Sequence, residues 1–166
     1  MATFDQIRTF ILDVDGVLTD GTLQAFRTGE QVRTFYVRDG YAIERALKAG
    51  YHILVISGGK DESVRTRLAF LGIQDVFLGV KDKKEVFDSY CQTHQLNTSE
   101  ILYMGDDIPD LQMLRLVGMP TCPKDAAADI LPYCTYISPY EGGRGAVRDV
   151  IEKVMRVQGK WTPELW

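Results

Sequence analysis

The chain has 166 residues, 45% hydrophobic and 25% charged, with a formal net charge of −4. That length fits one domain and supports a core without covalent staples, because a chain of this size buries roughly two thirds of its unfolded surface. The negative balance excludes the basic footprint of a nucleic-acid binder, and no apolar run approaches the ~18 residues of a membrane span. If the ligand is an anion, positive charge has to be concentrated locally, and a bound divalent cation would do that. The cysteines are Cys91, Cys122 and Cys134, with no Cys-x-x-Cys spacing, so they read as reduced thiols rather than a disulfide framework or a zinc site. The N-terminus, Met-Ala-Thr-Phe-Asp-Gln, lacks a charged-then-apolar export pattern. The expectation is a cytoplasmic protein.

Short β-branched runs alternate with amphipathic stretches, which predicts an α/β domain built on a largely parallel, Rossmann-like sheet. Residues 9–14 (TFILDV) read as a buried first strand. Residues 21–37 (GTLQAFRTGEQVRTFYV) break the alternation and read as a β-hairpin turning at Arg27-Thr28-Gly29-Glu30. A helix follows over residues 41–49, ending at Gly50, then a second strand at 52–56 (HILVI) and a helix over 62–71 ending before Gly72. Residues 75–78 (DVFL) form a short third strand, 82–95 a helix, and 101–104 (ILYM) a fourth strand. The last helix spans 145–157, with Val147, Val150, Ile151 and Val154 on one face. The tail at 159–166 (GKWTPELW) holds both tryptophans, which suits a docked segment better than a free one.

The chemistry collects at strand ends, where ligands of an open α/β sheet sit. Asp13 and Asp15 flank Val14 at the end of the first strand, so both carboxylates share one face, and Gly16 lets the backbone turn away. A carboxylate nucleophile beside an acid–base carboxyl is what phosphoryl transfer through an aspartyl-phosphate needs, although acidic pairs at strand ends also serve simply as solvated loops. Ser57-Gly58-Gly59 after the second strand offers a hydroxyl and permissive backbone N–H groups to a phosphate at a helix start. Lys83, flanked by Lys81 and Lys84, opens the next helix as a phosphate clamp or a solvated helix start. Gly105-Asp106-Asp107-Ile108-Pro109-Asp110 places carboxylates in a pattern that suits magnesium, which takes a few carboxylates and keeps several waters; helix capping is the plainer use of Asp110. His52, opening a buried strand, and His94, ending a surface helix, are read as structural.

Asp-x-Asp-Gly, Ser-Gly, Lys and Gly-Asp-Asp-x-x-Asp, in that order at successive strand ends, resemble the signature of the haloacid dehalogenase-like superfamily across nearly the whole chain. The resemblance implies Asp13 as nucleophile, Asp15 as general acid and then base, and Ser57 and Lys83 as phosphate clamps. It also implies magnesium (Mg2+) held by Asp13, the Asp15 backbone carbonyl and Asp106, with Asp107 and Asp110 in support. The intervals from Gly16 to Ser57 and from Lys83 to Asp106 have room for a hairpin and single helices only, so residues 1–166 are expected to form one capless domain.

Asp15-Gly16-Val17-Leu18-Thr19-Asp20-Gly21, the hairpin, Val37-Arg38-Asp39-Gly40 and Gly142-Gly143-Arg144-Gly145 are similar to the 3-deoxy-D-manno-octulosonate 8-phosphate (KDO-8-phosphate) phosphatase family. That resemblance implies a homotetramer whose hairpins form a central barrel and whose neighbouring subunits complete each site, in lipopolysaccharide synthesis. It implies Arg38, Asp39, Gly40, Gly58, Arg67 and Asp107 around the substrate. The chain departs from the family where Ser/Thr-Gly-Arg is common: Gly59 replaces an arginine whose planar fork suits a carboxylate. Lys60, Arg65 or Lys124 are candidates to compensate. The tail departs too, and its tryptophans are candidates to close a neighbour's site. The rival readings are a phosphatase for nine-carbon ulosonate 9-phosphates, such as KDN or N-acetylneuraminate; a non-catalytic binding module; and a phosphoacceptor signalling domain, which Asp15 disfavours.

Overall fold

The computed structural model describes residues 2–162. Six parallel strands form the main sheet in the order β5-β4-β1-β6-β7-β8. They are β1 (Thr9–Leu12), β4 (His52–Ile56), β5 (Asp75–Phe77), β6 (Ile101–Met104), β7 (Met119–Cys122) and β8 (Tyr136–Ile137). Central strands buried on both faces read as continuous apolar runs, and β1 and β6 are buried at every position. The two faces then sort by alternation. Phe10 and Leu12 of β1 face one cluster; Ile11 faces the other.

The first face is covered by α1 (Val37–Lys48), α2 (Glu62–Phe70) and α5 (Ala146–Val157). In α5, Ala146, Val147, Val150, Ile151, Val154 and Met155 are buried, an apolar stripe at helical spacing. The second face is covered by α3 (Lys83–His94) and α4 (Leu111–Leu114). Predicted bounds hold to within a residue or two for most elements. Strands β7 and β8 went unread in the sequence: MPTC carries a proline and Tyr136–Ile137 spans only two residues. Between β1 and α1, β2 (Gln24–Ala25) pairs antiparallel with β3 (Gln31–Val32), giving the hairpin as a separate two-stranded ribbon.

One expectation needs correction. Val37-Arg38-Asp39-Gly40 forms the first turn of α1, a helix expected to begin at residue 41. Asp39 is 2% exposed, and its carboxylate accepts from the backbone N–H groups of Gly145 (3.3 Å) and Arg148 (2.8 Å). It thereby caps α5, whose own N-cap residue, Gly145, has no side chain to offer. The tail, as far as it is described, is docked as its tryptophans suggest, and on its own chain. Trp161 meets Tyr41 edge-on at 6.1 Å, with the Arg45 and Arg148 guanidinium carbons 5.0 and 5.4 Å from its ring. Trp166 lies outside the described residues.

Asp39→Ala should leave two buried helix-terminal N–H groups without a partner. A lost cap costs about 1–2 kcal/mol, so Tm should fall by about 2–8 °C for a chain of this size. Calorimetry checks this, and an unchanged Tm would show that α5 does not depend on the cap.

Candidate active site

The sheet order reverses direction at β1: the chain builds outward through β4 and β5, then crosses to β6 on the other side. The carboxyl end of β1 is therefore the switch point at which open α/β sheets bind ligands. Past Leu12 the backbone breaks into a kinked turn over Val14–Leu18, and Gly16 takes a positive φ of 80°. A Cβ on Gly16 would lie 2.0 Å from Asp106 Oδ2, so glycine is what lets β1's loop and β6's loop approach. Gly142 closes the same loop from the far side, where a Cβ would meet the Gly16 carbonyl oxygen at 1.8 Å. Gly142 and Gly143 of the Gly142-Gly143-Arg144-Gly145 motif thus serve close backbone packing, and Gly145 takes a positive φ of 113° at the start of α5.

At the centre lies a buried ionic cluster. Lys83 Nζ is 2.8 Å from Asp13 Oδ2 and 2.6 Å from Asp110 Oδ1. The Tyr103 hydroxyl donates to the same Asp110 oxygen at 2.5 Å, and Asp110 Oδ2 accepts from the backbone N–H of Asp106 at 2.9 Å. Asp13 Oδ1 accepts from the N–H of Val14 at 2.7 Å. Burial and then repulsion from Asp110 push the Asp13 carboxyl up to about 6, against the pull of Lys83. Burial, then Asp110 and Asp13, push Asp106 up to about 7. Burial alone would lower the Lys83 ammonium, but the attraction of Asp13 and Asp110 wins and holds it above its usual value.

The residues fit a hard divalent cation. Asp13, Asp106 and Asp110 offer carboxylate oxygens within 4.8 Å of one another, an all-oxygen set of the kind magnesium takes. Burial and neighbouring carboxylates raise Asp13 and Asp106 even with Lys83 beside them, so an added cation would be favoured there. Asp110 already spends both oxygens on Lys83, Tyr103 and the Asp106 backbone. It therefore orients the cluster from behind, and Asp13 and Asp106 remain to face a cation.

Around this cluster, Asp13, Asp15, Ser57, Gly58, Gly59, Lys81 and Lys83 line one cleft, with Ile108, Pro109 and Gln112 opposite. Ser57 Oγ accepts from the N–H of Gly59 at 3.1 Å. The Asp15 carboxylate is gripped by Arg33, from Nε to Oδ1 at 2.7 Å and from Nη2 to Oδ2 at 3.1 Å. Arg33 Nη1 also reaches Asp61 Oδ2 at 3.1 Å. Arg33, Asp61 and Tyr103 escaped the sequence reading. Arg33 lies on the return limb of the hairpin, 18 residues from its partner, and no local pattern marks such a contact. A tyrosine within ILYM, beside Gly-Asp-Asp, was the one signal for Tyr103.

Several residues expected at the substrate do not line this cleft. Arg38 lines a separate hollow with Tyr36, Tyr140 and Arg144. Gly40 is buried against Arg67 and Leu71, where a Cβ would lie 3.0 Å from each. Arg67 lines a neighbouring hollow between the hairpin and α2, with Arg33, Lys60 and Asp61. Asp107 is exposed and caps the short turn at Ile108–Asp110. The resemblance placed these residues by motif; helix starts and caps account for Asp39 and Asp107, and α1 packing for Gly40. His52 is exposed at the start of β4, its ring 6.4 Å from that of His94, and neither ring lines the cleft.

The haloacid dehalogenase-like hydrolase family model matches residues 72–151. Over 160 residues the chain is 37% identical to the 3-deoxy-D-manno-octulosonate 8-phosphate phosphatase of Escherichia coli (strain B / BL21-DE3), spanning 96% of this chain and 85% of that one. The structure matches that of the corresponding Yersinia pestis protein with a TM-score of 0.92, at 33% identity over 95% of this chain and 85% of that one. It also matches the Moraxella catarrhalis 3-deoxy-D-manno-octulosonate 8-phosphate phosphatase, crystallised with magnesium, phosphate and KDO. There the TM-score is 0.90, at 30% identity over 94% of this chain and 90% of that one.

The raised carboxyls make a prediction about pH. Asp13 and Asp106 bind protons more tightly folded than unfolded, so their stabilising contribution is full below about pH 4 and is lost as pH rises through about 6 to 7. In metal-free melts, the Tm of the wild type relative to Asp106→Asn should fall from about pH 5 to about pH 8. Magnesium should raise the wild-type Tm at the upper pH and do little at the lower, while leaving Asp106→Asn nearly unmoved. A pH-independent difference would show that burial and the neighbouring carboxylates do not raise Asp106.

Proposed function

Because the chain belongs to the haloacid dehalogenase-like hydrolases, in their 3-deoxy-D-manno-octulosonate 8-phosphate phosphatase family, we propose that it hydrolyses KDO-8-phosphate to KDO and phosphate with magnesium as cofactor. The observation that carries the chemistry is the cluster of Asp13, Lys83, Asp110 and Asp106 at the carboxyl end of β1. Asp13 and Asp106 would hold the magnesium, with the Asp15 backbone carbonyl. When bound, the metal supplies the positive charge that lets a carboxylate approach an anionic phosphate.

The side chains divide the remaining work. Asp13 is the nucleophile: its carboxylate, fixed between Lys83 and the N–H of Val14, attacks phosphorus and forms an aspartyl-phosphate. Lys83, Ser57 and the backbone of Gly58 and Gly59 hold the phosphoryl oxygens. Asp15 protonates the departing sugar oxygen, then takes a proton from the water that cleaves the intermediate. Uncatalysed monoester hydrolysis is slow enough that accelerations reach about 10²¹, so no single group carries the rate.

The assembly and boundaries belong to the same proposal. Residues 1–166 act as one capless domain, and the hairpin makes subunit contacts in a homotetramer. Leu23, Phe26 and Val32 support this: they are 44%, 51% and 40% exposed on a narrow ribbon whose outer edges are unpaired among the described residues. Three free cysteines and the lack of any described helix long and apolar enough to cross a membrane agree with a cytoplasmic enzyme. Gly59 favours a second reading, a preference for a nine-carbon ulosonate 9-phosphate, because the arginine common in the family is absent from the cleft mouth.

Phosphate release from KDO-8-phosphate and KDN-9-phosphate, with magnesium and with chelator, tests the reading. A kcat/KM at least about tenfold higher for KDO-8-phosphate, about 1.4 kcal/mol of transition-state preference, is expected, with activity lost in chelator. The reverse ratio selects the nine-carbon reading. Asp13→Asn should be inactive, and Asp15→Asn should slow turnover by about 10²-fold or more. Full turnover in Asp15→Asn would remove it from the acid–base role.

A further inference from the structure

We propose that Arg33, carried on the hairpin, is a positioning residue for the acid–base step: it fixes the Asp15 carboxylate where the leaving oxygen must be protonated. The proposal rests on the phosphatase reading of the site and names a part of it that no strand-end motif contains.

The geometry is specific. Arg33 grips Asp15 through two parallel hydrogen bonds, 2.7 and 3.1 Å, and spends its remaining terminal nitrogen on Asp61 at 3.1 Å. Its side chain is only 4% exposed, although the ribbon it comes from is exposed on both strands. A fork-to-fork pair fixes the plane of a carboxylate as well as its place, which a lysine cannot do. Asp61 is itself anchored, accepting from the N–H of Ser63 at 2.9 Å as the N-cap of α2. The hairpin is held at its base by the bridge between Thr19 and Phe35. Asp15 is thus tied through one guanidinium to both α2 and the ribbon.

Gly59 lies beside this arrangement. A Cβ there would lie 3.4 Å from Arg33 Nη2, 3.4 Å from Ser57 Oγ and 3.5 Å from Asp15 Oδ2, all ordinary contact distances. The hairpin arginine occupies the neighbourhood that Gly59 leaves open.

The test uses the different demands of two leaving groups. In the first step the Asp13–phosphorus bond forms, the ester P–O bond breaks, and the sugar alkoxide takes a proton that Asp15 first acquires from water, with Arg33 still donating to the unprotonated oxygen of the acid. A 4-nitrophenolate leaves with the same bond changes and needs no proton. The kcat/KM reports this first step for both esters. Arg33→Met should lower kcat/KM for KDO-8-phosphate by about tenfold or more, a part of the 10²–10⁴ that acid–base catalysis supplies, yet change it for 4-nitrophenyl phosphate by less than about threefold. Because Asp15 also serves the second step, the variant should show a burst of 4-nitrophenolate. Arg33→Lys, which keeps the charge but not the fork, should recover only part of the loss.

Equal losses on both esters with a lowered Tm would make Arg33 merely structural and overturn the proposal. A raised KM for KDO-8-phosphate with kcat intact would overturn it in favour of direct contact with the sugar acid. If the wild type cleaves 4-nitrophenyl phosphate but not KDO-8-phosphate, the substrate reading fails alone, and glycerol 3-phosphate becomes the alkyl ester of the comparison. Wild-type inactivity on all three esters would sink the phosphatase reading and the role of Arg33 with it.

Discussion

Lys83 sits in a nearly closed space with two carboxylates on its ammonium and a third close by. Burying one unpaired charge costs several kcal/mol, and removing one member of such a pair costs about 3–5 kcal/mol because its partner is stranded. The pairing is therefore obligatory, and it dictates what the surrounding elements do. Asp13 must leave the end of β1, Lys83 must open α3, and Asp110 must come back from the turn after β6 with Tyr103 beneath it. Three carboxylates against one ammonium leave an excess of negative charge, which adds to burial in raising the Asp13 and Asp106 carboxyls. A cluster so arranged favours a cation.

The sheet meets this constraint by geometry more than by sequence length. Strands β1, β4 and β6 are adjacent and parallel, so their carboxyl ends deliver Asp13, Ser57 and Asp106 to one edge without any long loop. Steric permission completes it. Gly16 admits the Asp106 carboxylate and Gly142 admits the Gly16 carbonyl, so three chain segments converge within van der Waals distance around the cleft.

Much of this was legible because it is local. Strand-end motifs need only the residue types and the alternation of elements, and Asp13, Asp15, Ser57, Gly58, Lys83 and Asp106 all reach one neighbourhood as those motifs imply. What failed was of two kinds. The resemblance sets Val37-Arg38-Asp39-Gly40 around the substrate, but Asp39 is claimed by α5, more than a hundred residues later. The Arg33–Asp15 clasp likewise joins positions with no shared periodicity. Strand β7 was hidden by a proline, which breaks a ladder donor but not the apolar burial of its neighbours. Sequence periodicity reports what a segment does with its own face, and long-range polar contacts leave no such trace.

The Arg33 clasp changes how the hairpin should be regarded. A ribbon with exposed Leu23, Phe26 and Val32 contributes little to the core, since its strands are short and both are exposed. Isolated two-stranded hairpins are marginal in water. Yet this one delivers a nearly buried guanidinium to the Asp15 carboxylate. The grip on Asp15 therefore depends on the ribbon that carries Arg33 as well as on Asp61 at the start of α2. On the proposed roles, the nucleophile Asp13 follows directly on a core strand, while the acid–base carboxylate of Asp15 is gripped from an element outside the sheet.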